Sequence, residues 1–415
     1  MRRRHVSAPL ATLVVVLAAV VAGCGGGSSG GAVELQWWSY NEPSGAFDDA
    51  VKYCNAQSKG EYTIKYQKLG ANADLQRQQL VRRLAAEDDS IDLLSMDVIW
   101  TPEFAEAHWI KPFPADIRAE VSKDTLKGSL GTGTYKGQLY GAPANSNTQL
   151  LWYRKDKVKN PPKTWAELIA MAKSLHTKIE VQAAAYEGYT VWINSLIQSA
   201  GGTILSAPDK ASLEPGPLTK ALTIIHDIAS SSVADPSISN SKEDSGRLAF
   251  EKGVADFQIN YPFIYPSAAA IKGFQAKIGW APYPQVDPNT PAKAPIGGFN
   301  FGVGNFTKHP KQAFDAVACL RNEHNQRVAA VKGGLPPTLS TLYDTPSFKK
   351  DYPFADLIRK EIESGAVRPR TPLYADLSLA IATALSPPNG FDVKAEADGD
   401  LKQTAQDALD GKGLN

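Results

Sequence analysis

The alternation of short apolar strands with helices is the sequence feature that most constrains the fold of this chain. Residues 33–40, 62–69 and 91–96 have the pattern of strands, and helical patterns occupy residues 46–57 and 75–85 between them. Strands that alternate with helices form an open α/β sheet, because the helices cover its faces. The sequence therefore predicts an α/β fold, in which a ligand crevice lies at the carboxyl ends of the strands.

Asp97 directly follows the third predicted strand, whose apolar run is typical of a strand buried on both faces. Thr101 and Pro102 come next and predict a new helix, with Thr101 as its N-cap and Pro102 in its first turn. We therefore expect Asp97 at the ligand crevice. The alternative is that its carboxylate caps a helix or a turn.

The length of 415 residues is too great for one ordinary core and sufficient for two lobes. The stretch GAPANSNTQLLWYRKD, residues 141–156, contains a polar bend that runs into an apolar strand at 150–153. We interpret 141–144 as the first crossing between lobes and the glycine-broken strand 296–303 as the return. The sequence thus predicts two lobes, which are composed of residues 33–144 with 297–338 and residues 145–296 with 339–415.

The second half of the chain contains further helix and strand signals. Thr164 and Glu167 form a capping box at the start of a helix that extends to Leu175. The remaining predicted elements are helices at 189–200, 244–251 and 309–325 and a strand at 254–260.

Charge and composition exclude several function classes. The chain has 44 basic and 43 acidic residues and a net charge of +1, so it has no basic excess to neutralise the phosphates of a nucleic acid. The histidines lack i, i+4 pairing, no C-x-x-C occurs, and no complete glycine-rich phosphate motif is present. We expect no metal, no cofactor and no nucleic-acid partner.

Aromatic residues concentrate near the predicted strand ends, beside polar side chains. Such a combination suits a sugar, whose C–H faces stack on rings while its hydroxyls bind planar polar groups. For any single aromatic residue, a place in the core is the alternative. Trp152 and Tyr153, which lie on a strand, fit the core best.

The first 24 residues have the pattern of a targeting segment. Three arginines precede a short apolar run, and the sequence Val-Ala-Gly-Cys that ends at Cys24 resembles a lipoprotein lipobox. The glycine- and serine-rich residues 25–32 then read as a flexible tether. The alternative is an ordinary signal peptide with an incidental cysteine.

If Cys24 carries lipid, Cys54 and Cys319 are the two cysteines that remain. In an exported protein we expect them to form a disulfide. Two separate buried thiols are the alternative.

Paired carboxylates offer an enzymatic alternative. Asp97 with Glu187 or Glu243 could form the acid and base of a glycosidase, which requires two carboxylates across a sugar. For Glu187 and Glu243 the competing interpretation is a solvated surface side chain.

The order of several motifs along the chain resembles that of the solute-binding lipoproteins of carbohydrate ABC importers, and the likeness covers essentially the whole mature chain. These motifs are the lipobox, the tether, LYGAPANSNTQLLWYRKD, PPKTWAEL, LAFEKGVADF and the return strand. The segments IDLLSMDVIW, GRLAFE, IGGFN, CLRNEHNQR and AVRPRTPLY are most similar to the mycobacterial trehalose-binding members. The resemblance implies a type II periplasmic-binding-protein fold, in which each lobe is a sheet flanked by helices and the ligand binds in a central cleft.

The resemblance also implies a set of ligand-binding residues. The side chains expected to bind disaccharide hydroxyls are Asp97, Asn147, Glu243, Arg368 and Gln76. Tyr261 would stack on the sugar, Gly298 would let the backbone approach it, and Asn41 and Glu42 occupy the place of a ligand loop.

Two departures from the relatives leave the exact sugar open. Tyr261 stands where tryptophan is expected, and the segment between Ser267 and Trp280 is shortened. Trehalose is the first expectation, with maltose, sucrose and glucosylglycerol as alternatives.

The predicted function is capture of a disaccharide and its delivery to a permease, without covalent chemistry. The expected partners are ABC permease subunits with a cytoplasmic ATPase and, through lipid on Cys24, the outer face of the cytoplasmic membrane. We expect a monomer. A glycoside hydrolase and a surface adhesin that takes no small ligand are the competing classes.

Overall fold

The computed structural model describes residues 31–70 and 72–412. The predicted leader, Cys24 and nearly all of the predicted tether lie outside these residues. Within the described ranges, no helix has both the length and the apolar character needed to cross a membrane.

The strands of the described chain form two main sheets and two short hairpins. Their bounds are β1 (Val33–Tyr40), β2 (Tyr62–Leu69), β3 (Leu93–Asp97), β4 (Thr134–Tyr135), β5 (Gln138–Leu139), β6 (Ala142–Asn147), β7 (Leu150–Arg154), β8 (Lys178–Glu180), β9 (Leu205–Ala207), β10 (Lys210–Ala211), β11 (Ala255–Asn260), β12 (Ile278–Ala281) and β13 (Gly297–Val303).

Helices connect these strands. Their bounds are α1 (Ala46–Gln57), α2 (Ala73–Ala85), α3 (Thr101–Glu106), α4 (Ala115–Ser122), α5 (Lys127–Thr132), α6 (Trp165–Ser174), α7 (Glu187–Ser199), α8 (Pro215–Ala229), α9 (Glu243–Glu251), α10 (Ile264–Ala269), α11 (Pro310–Leu320), α12 (Glu323–Gly333), α13 (Ser340–Tyr343), α14 (Pro346–Asp351), α15 (Ala355–Ser364), α16 (Tyr374–Ala384), α17 (Val393–Ala395) and α18 (Leu401–Leu409). Short 3₁₀ turns occupy Ile238–Asn240 and Gln275–Lys277, and a π turn occupies Glu396–Asp400.

The first sheet has the order β2-β1-β3-β13-β6. β1 pairs in parallel with β2 and β3, whereas β13 runs antiparallel to both β3 and β6. Leu35, Trp37, Phe301 and Val303 point into a core that also includes residues of α1 and α11. Asp97 therefore lies at the carboxyl end of a central strand, as the βα pattern predicts.

The second sheet has the order β12-β7-β11-β8. β11 runs antiparallel to β7 and parallel to β8, and all six of its residues are buried. Phe257 and Ile259 of β11 contact a core that includes α7, α8 and α16. The residue that follows this central strand is Tyr261.

The chain passes from the first sheet to the second later than the sequence suggests. Asn145 and Asn147 lie in β6, where Asn147 is opposite Gly297 of β13. The crossing is formed by the buried residues Thr148 and Gln149, and β7 begins at once at Leu150. Residues 141–144, predicted as the crossing, lead into or belong to β6 because backbone pairing with β13 does not require apolar side chains.

Two helix predictions are wrong in detail. The single helix predicted at 309–325 is two helices, α11 and α12, because the Asn322 side chain accepts a hydrogen bond from the Asn325 amide and starts a new helix. Thr101 is inside α3 rather than its N-cap, a position that Trp100 occupies. The Thr164 cap is confirmed, since its hydroxyl accepts from the Glu167 amide at 3.1 Å.

Cys54 and Cys319 form a disulfide, which confirms the predicted pair. The bond joins α1 to α11 on one side of the first sheet, across a sequence separation of 265 residues. Cys54 is fully buried beside Asn325, whose side chain donates to the Cys319 carbonyl at 2.9 Å.

Candidate functional site

A buried guanidinium between two carboxylates forms the centre of the candidate site. Arg368, in the segment between α15 and α16, donates from Nη2 to Asp97 Oδ1 at 2.5 Å and from Nη1 to Glu187 Oε1 at 2.6 Å. Asp97 ends β3 of the first sheet, whereas Glu187 begins α7, which packs beside the second sheet. The Arg368 side chain is 2% exposed, so this cluster joins the two halves of the molecule away from water.

Glu187 is held by two further donors. The Tyr374 hydroxyl donates to its Oε1 at 2.7 Å, and the Ser378 hydroxyl donates to its Oε2 at 2.5 Å. Burial raises the pKa of Glu187 against the opposing charge of Arg368. The interpretation of Glu187 as a solvated side chain is therefore wrong, because α16 and Arg368 cover it.

The electrostatics of Arg368 favour its charged form. Burial alone would lower the pKa of Arg368, but the adjacent charges of Asp97 and Glu187 raise it well above its ordinary value. The guanidinium Nε is buried without a hydrogen-bond partner. Two carboxylates that both accept hydrogen bonds from one fixed guanidinium are poorly placed to act on a glycosidic bond as acid and base, because the cation already occupies them.

Tyr261 and Glu243 lie beside this cluster. Burial raises the pKa of Tyr261, the charge of Glu243 raises it further, and the charge of Arg368 opposes the shift. The Asn260 side chain fixes the two residues together, since it donates to the Glu243 carbonyl at 2.9 Å and accepts from the Tyr261 amide at 2.9 Å. An aromatic ring thus lies next to the charged groups of the cluster.

Glu243 begins α9 and is itself desolvated. Burial raises the pKa of the Glu243 carboxyl, which lies near Tyr186 and Lys242. The buried Tyr186 hydroxyl faces the Glu243 carboxyl and opposes the rise of its pKa, and the Lys242 ammonium lies 4.8 Å from the Tyr186 ring centroid. Like Glu187, Glu243 is not the solvated side chain that was the competing interpretation.

Asn147 and Gly298 lie where β6 and β13 begin to separate. The Oδ1 atom of Asn147 is buried without a hydrogen-bond partner. A Cβ atom built on Gly297 would lie 3.9 Å from the Asn147 Cβ and 4.0 Å from Arg368 Nη2, which puts Asn147 next to the cluster. Gly298 has φ of +114°, and a Cβ there would come within 2.2 Å of the Asn145 carbonyl, so strand packing alone requires a glycine.

The other predicted residues form hydrogen bonds outside the cluster or are exposed. Gln76 is buried and donates to the Gly70 carbonyl at 3.1 Å. Glu42 is buried and accepts from the Ser44 and Ala46 amides at 2.9 and 2.8 Å, so its carboxylate caps α1. Asn41 is exposed. The binding roles of these three residues remain predictions.

Asp74, in the first turn of α2, is a neighbour of the cluster that is absent from the predicted ligand-binding residues. Burial raises the pKa of Asp74, and a hydrogen bond from the Glu187 backbone amide opposes the shift. α2 of the first half therefore meets the first turn of α7. No sequence signal distinguishes Asp74 or Glu187 from the other acidic residues that begin helices, since the contact depends on the tertiary structure.

The arrangement can bind a polyhydroxylated ligand. Carboxylate and guanidinium groups offer charge-assisted hydrogen bonds to hydroxyls, and the ring of Tyr261 offers a stacking surface. Among residues 31–70 and 72–412, no group of three or more His, Cys, Asp and Glu side chains is placed to hold a metal ion.

Comparison with known sequences gives matches over most of the chain. The family model described as bacterial extracellular solute-binding protein matches residues 37–327. A probable ABC transporter-binding protein of Deinococcus radiodurans is 28% identical over 347 residues, which are 78% of this chain and 81% of that protein. A maltotriose-binding protein of Pyrococcus abyssi is 24% identical over 307 residues, which are 71% of this chain and 66% of that protein.

Comparison with solved structures shows the fold. Maltose-bound MalE3 of T. maritima superposes with a TM-score of 0.80 at 24% identity and covers 91% of this chain and 97% of its own. The GacH receptor of Streptomyces glaucescens, solved unliganded and with acarbose, has a TM-score of 0.81 at 17% identity, with coverages of 91% and 99%. These superpositions confirm the predicted type II binding-protein fold.

Proposed function

From the premise that this chain belongs to the bacterial extracellular solute-binding protein family, we propose that it binds a disaccharide between its two sheets and delivers it to an ABC permease. The family consists of binding proteins, so the chain is a solute-binding protein rather than an enzyme. Trehalose is the disaccharide that we propose first. Maltose, sucrose and glucosylglycerol are the alternative ligands.

The observation that supports a sugar ligand is the cluster of Asp97, Arg368 and Glu187 beside Tyr261. Its charged groups come from both halves of the chain. Asp97 ends the central strand β3 of the first sheet, and Tyr261 follows the central strand β11 of the second. Sugar hydroxyls inserted here would replace ion-pair contacts with charge-assisted hydrogen bonds. The buried and unpartnered Oδ1 of Asn147 is a further acceptor for such a hydroxyl.

The relatives support a glucoside. Three of the four named above are described with maltotriose, maltose or acarbose as ligand. Trehalose itself is supported by the motif-level resemblance at Asp97, Asn147, Glu243 and Arg368. The tyrosine at position 261 gives a smaller stacking surface than tryptophan, which is why closely related α-glucosides are the alternatives.

We propose that binding closes two lobes around the sugar. The crossing at Thr148–Gln149 and the return at Gly297 would be hinge strands, and Arg368 would contact both lobes in the closed state. A ligand that binds the closed state more tightly than the open one shifts the population toward closure, and the permease would recognise that closed form.

Membrane attachment is a further part of this proposal. Lipid on Cys24 and the tether at 25–32 would hold the folded body at the outer face of the cytoplasmic membrane. There, as a monomer, it would meet the permease subunits, whose cytoplasmic ATPase drives import.

Isothermal titration calorimetry of the chain with trehalose, maltose, sucrose and glucosylglycerol tests the proposed ligand. We expect one disaccharide per chain and tightest binding by trehalose. An assay for released glucose on the same samples should remain at the level of the blank. Absence of binding by every disaccharide would refute the proposal, and tighter binding by one of the other three would replace trehalose with that sugar.

A further inference from the structure

A second cavity lies beyond the Arg368 cluster, along the carboxyl-terminal half of α7. It has a volume of about 430 Å³, which is within the range of small-molecule sites. Its walls are the side chains of Asn194 and Gln198, the loop 202–208, Lys293 and the segment 367–370.

This cavity is separate from the proposed sugar site. Gln198 is eleven residues after Glu187 on the same helix, which corresponds to about 16 Å along the axis at 1.5 Å per residue. Arg368 contributes to the wall of the cavity, but its Nη atoms bind Asp97 and Glu187 in the cluster. Among the residues proposed to bind the sugar, Arg368 is therefore the only one that also lines the cavity.

The walls are fixed by hydrogen bonds. Gln198 Nε2 donates to the Val367 carbonyl at 2.6 Å, and Asn194 Nδ2 donates to the same carbonyl at 3.4 Å. The hydroxyl of Ser199, also on α7, accepts a hydrogen bond from the backbone amide of Lys293 at 2.9 Å. α7 thus holds both the segment 367–370 and the strand-like segment near Lys293 in place.

The charge of the lining is positive. Lys293, Arg368 and Arg370 contribute to it, and no aspartate or glutamate does. Arg368 is paired with carboxylates of the cluster, but neither Lys293 nor Arg370 forms an ion pair with any residue in the described part of the chain. Arg370 instead donates from Nη2 to the Thr134 carbonyl.

Arg370 and Lys293 are exposed side chains without a counter-ion in the described part of the chain. Partial burial of the guanidinium lowers the pKa of Arg370, because the loss of water around a charge costs free energy unless an opposite charge replaces it. The carboxyl end of α7 carries a partial negative charge that opposes an anion, but it amounts to about half an elementary charge against two unpaired cations.

We propose that this cavity binds a small anionic solute through a phosphate or carboxylate group. Lys293 and Arg370 would bind the anion from two sides, and the amide side chains of α7 would contact the remainder of the solute. The cavity is open to solvent on one side, and its volume is that of a small-molecule site. The inference is independent of which sugar binds at the cluster.

Calorimetric titration with inorganic phosphate and with acetate, at constant ionic strength and without any sugar, tests this site. We expect at least one of the two anions to bind, and Lys293→Glu and Arg370→Gln each to weaken binding by at least about tenfold, as expected for lost charge-assisted contacts. Glycerol, a neutral polyol of similar size, should not bind there. Lys402→Glu, which reverses an exposed lysine on α18, should bind the anion as the wild type does.

Three outcomes would overturn the proposal. They are the absence of binding by both anions, unchanged binding by the two variants, and binding of glycerol in place of the anions. The thermal unfolding midpoint of each variant confirms that it is folded. Because no sugar is present in the titration, failure of the trehalose proposal would leave the result interpretable.

Discussion

At the scale of single residues, the charge of Arg368 is the feature on which the proposed site depends most. Its guanidinium contacts both Asp97 and Glu187, and the side chains of Arg368, Asp97 and Glu187 are 2%, 14% and 9% exposed. Hydrogen bonds to charged groups contribute more than neutral ones, and they contribute most where water is excluded. Substitutions here should therefore affect ligand affinity more than substitutions elsewhere on the surface.

We expect Asp97→Asn and Arg368→Gln each to reduce trehalose affinity by more than about 1.5 kcal/mol, or roughly tenfold. Both replacements keep hydrogen-bonding atoms but remove the charge. Calorimetry measures the change, and circular dichroism confirms the fold. The matched control is Arg359→Gln, which should bind trehalose normally. The guanidinium of Arg359 pairs with Asp344 and Glu363 on the surface. Unchanged affinity in both site variants would remove the cluster from the ligand site.

A second buried carboxylate predicts how stability depends on pH. Burial and, to a smaller extent, the charge of Asp235 raise the pKa of Glu180 to about 7, although the hydrogen bond from the Ser241 hydroxyl opposes the shift. One carboxylate oxygen of Glu180 has no hydrogen-bond partner. The folded state thus retains a proton that the unfolded state releases near pH 4.5.

This difference destabilises the folded protein as pH rises. The contribution of the protonated Glu180 is complete below about pH 4.5 and is lost as pH rises to about 7, with a total of about 3 kcal/mol. Glu180→Gln should therefore be more stable than the wild type at pH 8 and close to it at pH 4. Denaturant unfolding at the two pH values measures the difference, and the exposed Glu120→Gln should show none.

The residues of the candidate site could be predicted from the sequence only where they belong to a recognisable motif. The resemblance brought forward Asp97, Asn147, Glu243, Tyr261 and Arg368, and the structure brings these five together. For Glu187 the sequence left a carboxylate paired with Asp97 and a solvated side chain as alternatives, because its covering residues, Tyr374 and Ser378, are about 190 positions later. Contacts of that sequence separation leave no periodic signal in a single sequence.

At the scale of secondary structure, apolar periodicity was sufficient to predict the first three elements of the described chain. β1, α1 and β2 have the predicted bounds, because each combines a strong pattern with a clear turn. β6 was missed because its residues are small and polar, and backbone pairing with β13 rather than side-chain burial stabilises it. The break between α11 and α12 was missed because local capping overrides a continuous helical pattern.

The cap at Asn322 can be tested directly. Its side chain accepts the Asn325 amide at 2.9 Å and so satisfies one of the free donors at the start of α12. Asn322→Ala should lower the free energy of unfolding by about 1 kcal/mol, whereas Asn322→Asp should retain most of it. Urea unfolding measures both. Equal destabilisation by the two variants would show that the contribution does not come from the cap.

At the scale of the whole molecule, the sequence was sufficient to predict two sheets and the return strand. It was not sufficient to predict the position of the first crossing. Polar composition suggested a crossing at 141–144, whereas the chain crosses at Thr148 and Gln149. Gln149 donates to the side chain of Gln182 at 2.7 Å, and Gln182 donates to the Ile259 carbonyl. This buried amide chain anchors the crossing to β11, an arrangement that depends on three separate parts of the sequence.

The link that Arg368 makes between the two halves predicts how the molecule responds to ligand. If a sugar binds where Asp97 of one half and Glu187 of the other meet Arg368, its affinity must be greater for the closed than for the open arrangement. We therefore expect trehalose to lower the radius of gyration measured by small-angle X-ray scattering. Arg368→Gln weakens the contact between halves, so at saturating trehalose the decrease should be smaller, while Arg359→Gln should respond as the wild type does. Identical scattering with and without bound trehalose in the wild type would mean that the sugar binds without closure, and the permease would then have to recognise the bound state by some other difference.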